Sequence, residues 1–197
     1  DWITLRAGQS EIVWIDGSQF TDGTKSNIDL GGHSFWKIEG LKMRFGANGS
    51  PSGDSGDADG ITIDRGGNNI VIQGVEIQAP DGDGIDLLGN NHDVQILECV
   101  IYDMRVANPN YEGDGHGIHV VQQRNEPASH DILVYNNYVH DAHGKACLAL
   151  ADYSALGDPP PTNVIFEYNT VVDCTNGIKV NADGVFRYNL IVDTGKY

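Results

Sequence analysis

Aspartate recurs ahead of strand-like segments in mid-chain, as APDGDGID (Ala79–Asp86) and EGDGHG (Glu112–Gly117), and histidine and lysine follow at the same station further on. Asp81, Asp83, Asp86 and Asp114 offer oxygen ligands, the kind a hard cation such as Ca2+ takes. His116 and His119 are of the one side-chain type that ionises near neutral pH, which suits proton transfer. Lys145 and Lys179 bring amines, which act as bases only when a neighbouring positive charge or burial lowers their pKa. A cation beside a base is equipment for removing the proton next to a carboxylate. Asp-Gly is also an ordinary turn signal, so turn chemistry accounts for any one Asp by itself. It does not account for the set, because carboxylates stacked about 5 Å apart repel unless something neutralises them.

Repetition is what would bring such residues together. A Gly-Ile-x-aliphatic pattern recurs as GITI (Gly60–Ile63), GIDL (Gly84–Leu87), GIHV (Gly117–Val120), ACLA (Ala146–Ala149) and GIKV (Gly177–Val180). An earlier copy is NIDL (Asn27–Leu30), and the spacings after Ile61 are 24, 33, 29 and 31 residues. Each copy is followed by a second alternating segment, such as VQILECVIY from Val94 or VIFEYNTVV from Val164. Aligned on one another, these segments place Gly40, Gly74, Cys99, Asn137, Asn169 and Asn189 in one column. Period-2 alternation rich in Ile and Val marks strands, and no segment carries a sustained apolar face at helical spacing. Constant strands with variable connections are what a solenoid tolerates, since insertions bulge outward while the stack keeps its register.

The expectation is therefore one all-β domain over 1–197, a single-stranded right-handed parallel β-helix of about six to seven coils with two strands in each. In such a coil Ile61, Ile85, Ile118, Cys147 and Ile178 point inward, and Asp29, Thr62, Asp86, His119, Leu148 and Lys179 point outward. Two positions before each inward residue stand Asp59, Asp83, His116, Lys145 and Asn176. One exposed strip thus runs from carboxylates through imidazoles to amines. A lysine two coils beyond a bound cation sits about 10 Å from it, room for one sugar unit. Long connections at Met104–Gly115, Gln122–Ser129 and Tyr153–Thr162 would wall a groove, where Tyr111 and Tyr153 could stack on sugar rings.

A net charge of -16 argues against nucleic acid and anionic membrane as partners, and fits a chain that collects cations. No run of 18 apolar residues suggests membrane insertion. Cys99, Cys147 and Cys174 are an odd number without a CxxC, which excludes a disulfide framework or zinc knuckle and leaves them as core or turn fillers. Strand-like sequence runs from Ile3 to Val192 with no amphipathic helix over either end. Open ends leave unpaired edges, so the chain reads as part of a longer solenoid or as a unit that self-associates end to end.

The Gly-Ile repeat, the asparagine column and the opening ITLRAG…WIDGS (Ile3–Ser18) resemble the pectate-lyase-like β-helix superfamily. Family 9 polysaccharide lyases are nearest in kind: DGDGID (Asp81–Asp86) and EGDGHG resemble their calcium clusters, and NGIK (Asn176–Lys179) resembles the strand carrying their lysine base. Lys179 lies one coil later than that pattern, while Lys145 lies in the right coil in a different local sequence. APDGDGID, GHG (Gly115–Gly117) and GIK (Gly177–Lys179) also echo family 28 polygalacturonases, without their Asp-Asp pair or arginine. The resemblance implies a secreted or cell-surface protein acting on acidic polysaccharide, a Ca2+-assisted lyase in the first place. Its catalytic residues would come from Lys179, His119, Lys145 and His116. The alternatives are a non-catalytic adhesin, spike or filament subunit, and a family 28-like hydrolase.

Overall fold

The structure, a computed structural model, describes residues 1–18, 26–44, 58–78, 80, 82–104, 115–122, 125–151 and 159–195. Every element among them is a strand, and every pairing is parallel. The expected parallel solenoid forms, with three strands to a coil where the sequence suggested two. The first face stacks β1 (Ile3–Arg6), β4 (Trp36–Glu39), β7 (Asn68–Gln73), β10 (His92–Leu97), β13 (His130–Tyr135), β15 (Thr162–Glu167) and β17 (Val185–Arg187). The second stacks β2 (Trp14–Asp16), β5 (Lys42–Arg44), β8 (Glu76–Gln78), β11 (Val100–Met104), the first halves of β14 (Tyr138–Ala151) and β16 (Thr170–Val180), and β18 (Leu190–Val192). The third stacks β3 (Ile28–Asp29), β6 (Ile61–Ile63), β9 (Ile85–Leu88), β12 (Ile118–Val121) and the second halves of β14 and β16. Both long strands turn the corner and serve two faces.

What looked like one alternating segment is two strands joined by a one-residue bend. Gly40, Gly74, Glu98, Asn136, Tyr168 and Tyr188 hold this bend with φ between 50° and 60°. The next residue turns inward, so the inward column is Leu41, Val75, Cys99, Asn137, Asn169 and Asn189. Gly40 and Gly74 therefore stand one place earlier than the sequence alignment put them. The inward asparagines do form a ladder. Asn169 Oδ1 accepts from the backbone N–H and the side-chain amide of Asn137 (3.0 and 2.9 Å), and its own amide donates to Val134 O at 3.0 Å. Asn189 Oδ1 repeats the pattern below it. The upper end is closed by Cys99, whose backbone N–H donates to Asn137 Oδ1 at 2.9 Å.

The core is a set of aliphatic columns. Ile38, Ile72, Ile96, Val134 and Phe166 stack inside the first face, and Ile63, Leu87, Val120 and Leu150 inside the third, all fully buried. The glycine that opens each third-face strand has a steric cause. A Cβ on Gly117 would lie 2.1 Å from a methyl of Val139 and 2.5 Å from the Cys147 carbonyl.

In the fourth copy Cys147 takes the glycine's place, and Leu148 pairs with Ile118 and Ile178. The repeat is thus Cys147–Leu150 in place of ACLA. The outward row reads Asp29, Thr62, Asp86, His119, Ala149 and Lys179, with Leu148 inside. Cys147 is joined to Cys174 by a disulfide across adjacent coils, with 5.8 Å between the α-carbons. The exclusion of disulfides is thereby corrected: Cys174 pairs in register with Ala142, and the bond reaches Cys147 further along the same neighbouring strand, past the irregularity between Ala142 and Ala146. Only Cys99 of the three is free; it is buried, and burial pushes its thiol up to about 12.

Replacing Asn169 by Ala leaves the Asn137 N–H and the Val134 carbonyl without partners inside the protein, at about 1–3 kcal/mol each. We expect Asn169→Ala to lower stability by about 2–4 kcal/mol in urea denaturation. A loss below about 0.5 kcal/mol would show that the ladder does not carry the bend.

Candidate functional site

The third face brings four of the chemistry-bearing residues to one place. Asp83 precedes β9, and Asp86 is its second residue. His116 precedes β12, and His119 is its second residue, paired directly with Asp86. The spacing of three within each coil carries both residues to the same side of the strand's entry. Asp59 and Thr62 repeat the arrangement around β6 one coil earlier. All six are buried, Asp83 to 1% exposure, and so is Ala149 in the same row, so the strip expected to be exposed is covered along these coils and opens at Lys179.

Asp83 is the hub. Its Oδ1 accepts from the backbone N–H groups of Gly115 (2.8 Å) and His116 (2.6 Å) and lies 3.2 Å from His116 Nδ1. Its Oδ2 lies 2.9 Å from His119 Nδ1, which also stands 3.3 Å from Asp86 Oδ1. Asp59 supports the hub from the coil before: Oδ1 accepts from the Asp83 backbone N–H at 2.7 Å and Oδ2 from the Thr62 hydroxyl at 2.8 Å. The imidazoles of His116 and His119 stack with 4.3 Å between centroids.

Burial by itself raises a carboxylic acid and lowers an imidazole. At Asp83 burial is outweighed by hydrogen bonds and charge from His116 and His119, and its pKa falls below the usual range. At His119 burial is likewise outweighed, here by hydrogen bonds to Asp83 and Asp86 and by their charges, and the imidazole rises to about 10. His116 goes the other way: burial lowers it more than its bond to Asp83 raises it, and the charges of His119 and Lys179 push it further down. Asp59 is raised well above its ordinary value by burial, then by the charges of Asp86 and Asp83. Four neighbouring groups are thus driven to different protonation states. In the absence of a ligand the site holds an ionised Asp83 against a protonated His119, where the residue type alone suggested a neutral base.

Lys179 lies in the same outward row as His119, two strands on, with Ala149 between them, and it is exposed. Lys145 is half-buried and is not in the row two places before the inward residues. Ala146 holds that place opposite Asn176, because the strand carries an irregularity between Ala142 and Ala146. Asp81, Asp114, Tyr111 and Tyr153 lie outside the described residues, as do residues 105–114, 123–124 and 152–158 of the long connections. The sequence reading placed Asp59 and Thr62 in its columns without assigning them to the site. The signal was there: Asp59 occupies the Asp83 position one coil earlier.

The chain matches the family described as right handed beta helix region over residues 3–156, and it belongs to that family. No curated protein and no solved structure matches it. The narrower likenesses to family 9 and family 28 enzymes therefore rest on the quoted motifs.

The sign of the pH dependence follows from the two shifts. The raised His119 contributes stability that is complete below its ordinary value of 6.5 and is lost as pH rises through about 10. The lowered Asp83 contributes stability present above its ordinary value of 3.8 and lost as pH falls below it. In chelator-treated protein we expect the melting temperature to decline between about pH 7 and 10, and His119→Gln to flatten that decline. Parallel profiles for the two proteins would show that the imidazole is not held protonated.

Proposed function

We propose that this β-helix acts outside the cell on a uronate-containing polysaccharide, cleaving it by cation-assisted β-elimination with Lys179 as the base. One observation carries the reading: Lys179 stands about 10 Å along the row from His119, at two strand spacings, with only the small Ala149 between. A sugar ring spanning that interval has its carboxylate at the acidic end and its C5 hydrogen toward the amine. The acidic clusters made Ca2+ the expected ion; a divalent cation bound beside Asp83 and Asp86 supplies charge that neutralises the uronate carboxylate and acidifies the C5 proton. Lys179 accepts that proton. The C–H electron pair becomes the C4–C5 double bond, the bond from C4 to the glycosidic oxygen breaks, and the departing oxygen takes a proton from water. His116 and His119 are buried at the pocket and Lys145 is off the row, so Lys179 is the candidate best placed to reach a polymer lying across the face. The Cys147–Cys174 disulfide supports an oxidising, extracellular setting.

A second reading, a non-catalytic subunit that stacks end to end, is favoured by one feature. Trp2, Ile3 and Leu5 in the first coil and Leu190, Ile191 and Val192 in the last expose apolar side chains. The two readings separate on pectate and alginate. We expect an ultraviolet-absorbing unsaturated product, and a Lys179→Gln rate lower by about a hundredfold or more at an unchanged melting temperature. No product on any uronan, together with concentration-dependent light scattering, would replace the first reading by the second.

A further inference from the structure

The donor set at the pocket is not the one that carboxylate clusters alone would provide. Asp83, His116 and His119 each offer one ligand atom, and the three atoms lie within 4.8 Å of one another. His116 Nδ1 lies 3.2 Å from Asp83 Oδ1 and His119 Nδ1 2.9 Å from Asp83 Oδ2, so both rings converge on one carboxylate, each through a different oxygen. Asp86 Oδ1, 3.3 Å from His119 Nδ1, borders the same point. The carboxylate is also aimed: the Gly115 and His116 N–H groups fix Oδ1, and Asp59 fixes the backbone of Asp83 itself. Metal ligands are commonly oriented by such outer partners.

A separate feature points to a missing partner. His116 has a side chain only 4% exposed, yet its Nε2 has no hydrogen-bond partner among the described residues. A buried polar atom left in that condition costs about 1–3 kcal/mol, so a ligand reached through Nε2 of His116 is favoured. Two imidazoles and one carboxylate on one side of an ion leave its remaining positions open to water or to substrate oxygens. That combination suits first-row transition ions, whereas Ca2+ takes six to eight oxygens and few nitrogens.

We propose that Asp83, His116 and His119 form a binding site for a divalent transition-metal ion, of the Mn2+ to Zn2+ series, with its open positions toward the row that leads to Lys179. The inference deepens the reading above by naming the class of ion, and its catalytic consequence rests on that reading; the binding does not.

The test uses the whole chain, dialysed against chelator. Calorimetric titration with Co2+, Zn2+, Mn2+ and Ca2+ should give one strong site for Co2+ and Zn2+, with Ca2+ weaker by about a hundredfold or more. The Co2+ complex should show a visible absorption spectrum of nitrogen–oxygen coordination. His116→Gln and His119→Gln should each weaken Co2+ binding by more than about a hundredfold, beyond the roughly 10–100-fold that loss of an outer partner alone costs. His92→Gln, which alters the other stacked imidazole pair, with His130, should leave it unchanged. Circular dichroism identifies any variant that fails to fold, and the wild-type titration decides the matter without the variants. Tighter binding of Ca2+ than of Co2+ and Zn2+, or Co2+ binding untouched in a folded His116→Gln, overturns the proposal. Uronan cleavage with Ca2+ in a protein that binds neither Co2+ nor Zn2+ would refute this site and leave the lyase reading standing; tight Co2+ binding without cleavage of any uronan would do the reverse.

Discussion

Inward aliphatic side chains stack on their counterparts one coil away, and that contact fixes the register of everything else. Ile61, Ile85, Ile118, Leu148 and Ile178 form one such column. Because side chains alternate faces along a strand, a slip of one residue would turn the column to solvent and the outward row into the core. Burying one such side chain is worth about 1.5–3 kcal/mol, so a slipped coil loses several at once. The pairing of His119 with Asp86 and the position of Lys179 two strands on are consequences of this column, not of any attraction between the polar groups. Glycine enters at the same place for a related reason: at Gly117 the backbone passes too close to Val139 and Cys147 for a side chain.

With geometry set by the core, charge has to accommodate. In a chain of net charge -16, the third face brings Asp59, Asp83 and Asp86 onto neighbouring coils, where three ionised carboxylates would repel strongly. Each is handled differently. Asp83 keeps its charge because two backbone N–H groups and two imidazoles surround it. Asp59 is pushed toward its protonated form by burial and by its neighbours' charge. Asp86 faces the His119 imidazole at 3.3 Å. The same crowding that would destabilise a bare acidic cluster therefore yields a buried group of oriented donors and a stacked imidazole pair.

Much of this was legible in the residues. The Gly-Ile repeat gave the solenoid because its cause is local and recurs in each coil, and the Asp83, Asp86, His116 and His119 grouping followed from the columns. The third strand per coil was not legible. The bend residues Glu98, Asn136, Tyr168 and Tyr188 carry no common type, and a single left-handed residue between two alternating runs leaves the run looking unbroken. The fourth repeat was misread by one place because Ala146 resembles glycine more than Cys147 does. That slip put Leu148 outside and placed Lys145 in the row. The disulfide was not legible because Cys174 pairs in register with Ala142, so no column of the repeat sets Cys147 and Cys174 side by side. Protonation states were beyond the sequence altogether: His116 and His119 are the same residue type three apart, yet burial wins at His116 beside Asp83 alone and is outweighed at His119 between Asp83 and Asp86.

The register of the outward row is the point on which the strip stands, and cysteine cross-linking reads it directly. Facing outward positions on adjacent parallel strands are within the α-carbon range that a disulfide spans, about 4.4–6.8 Å. Ala149 and Lys179 are such partners. The double variant Ala149→Cys, Lys179→Cys should form the bond spontaneously on mild oxidation, as seen by mass spectrometry of a non-reduced digest. The pair Leu148→Cys, Lys179→Cys should stay reduced, since position 148 faces the core. Bonding of the second pair but not the first would shift the row by one residue and remove Lys179 from its line with His119.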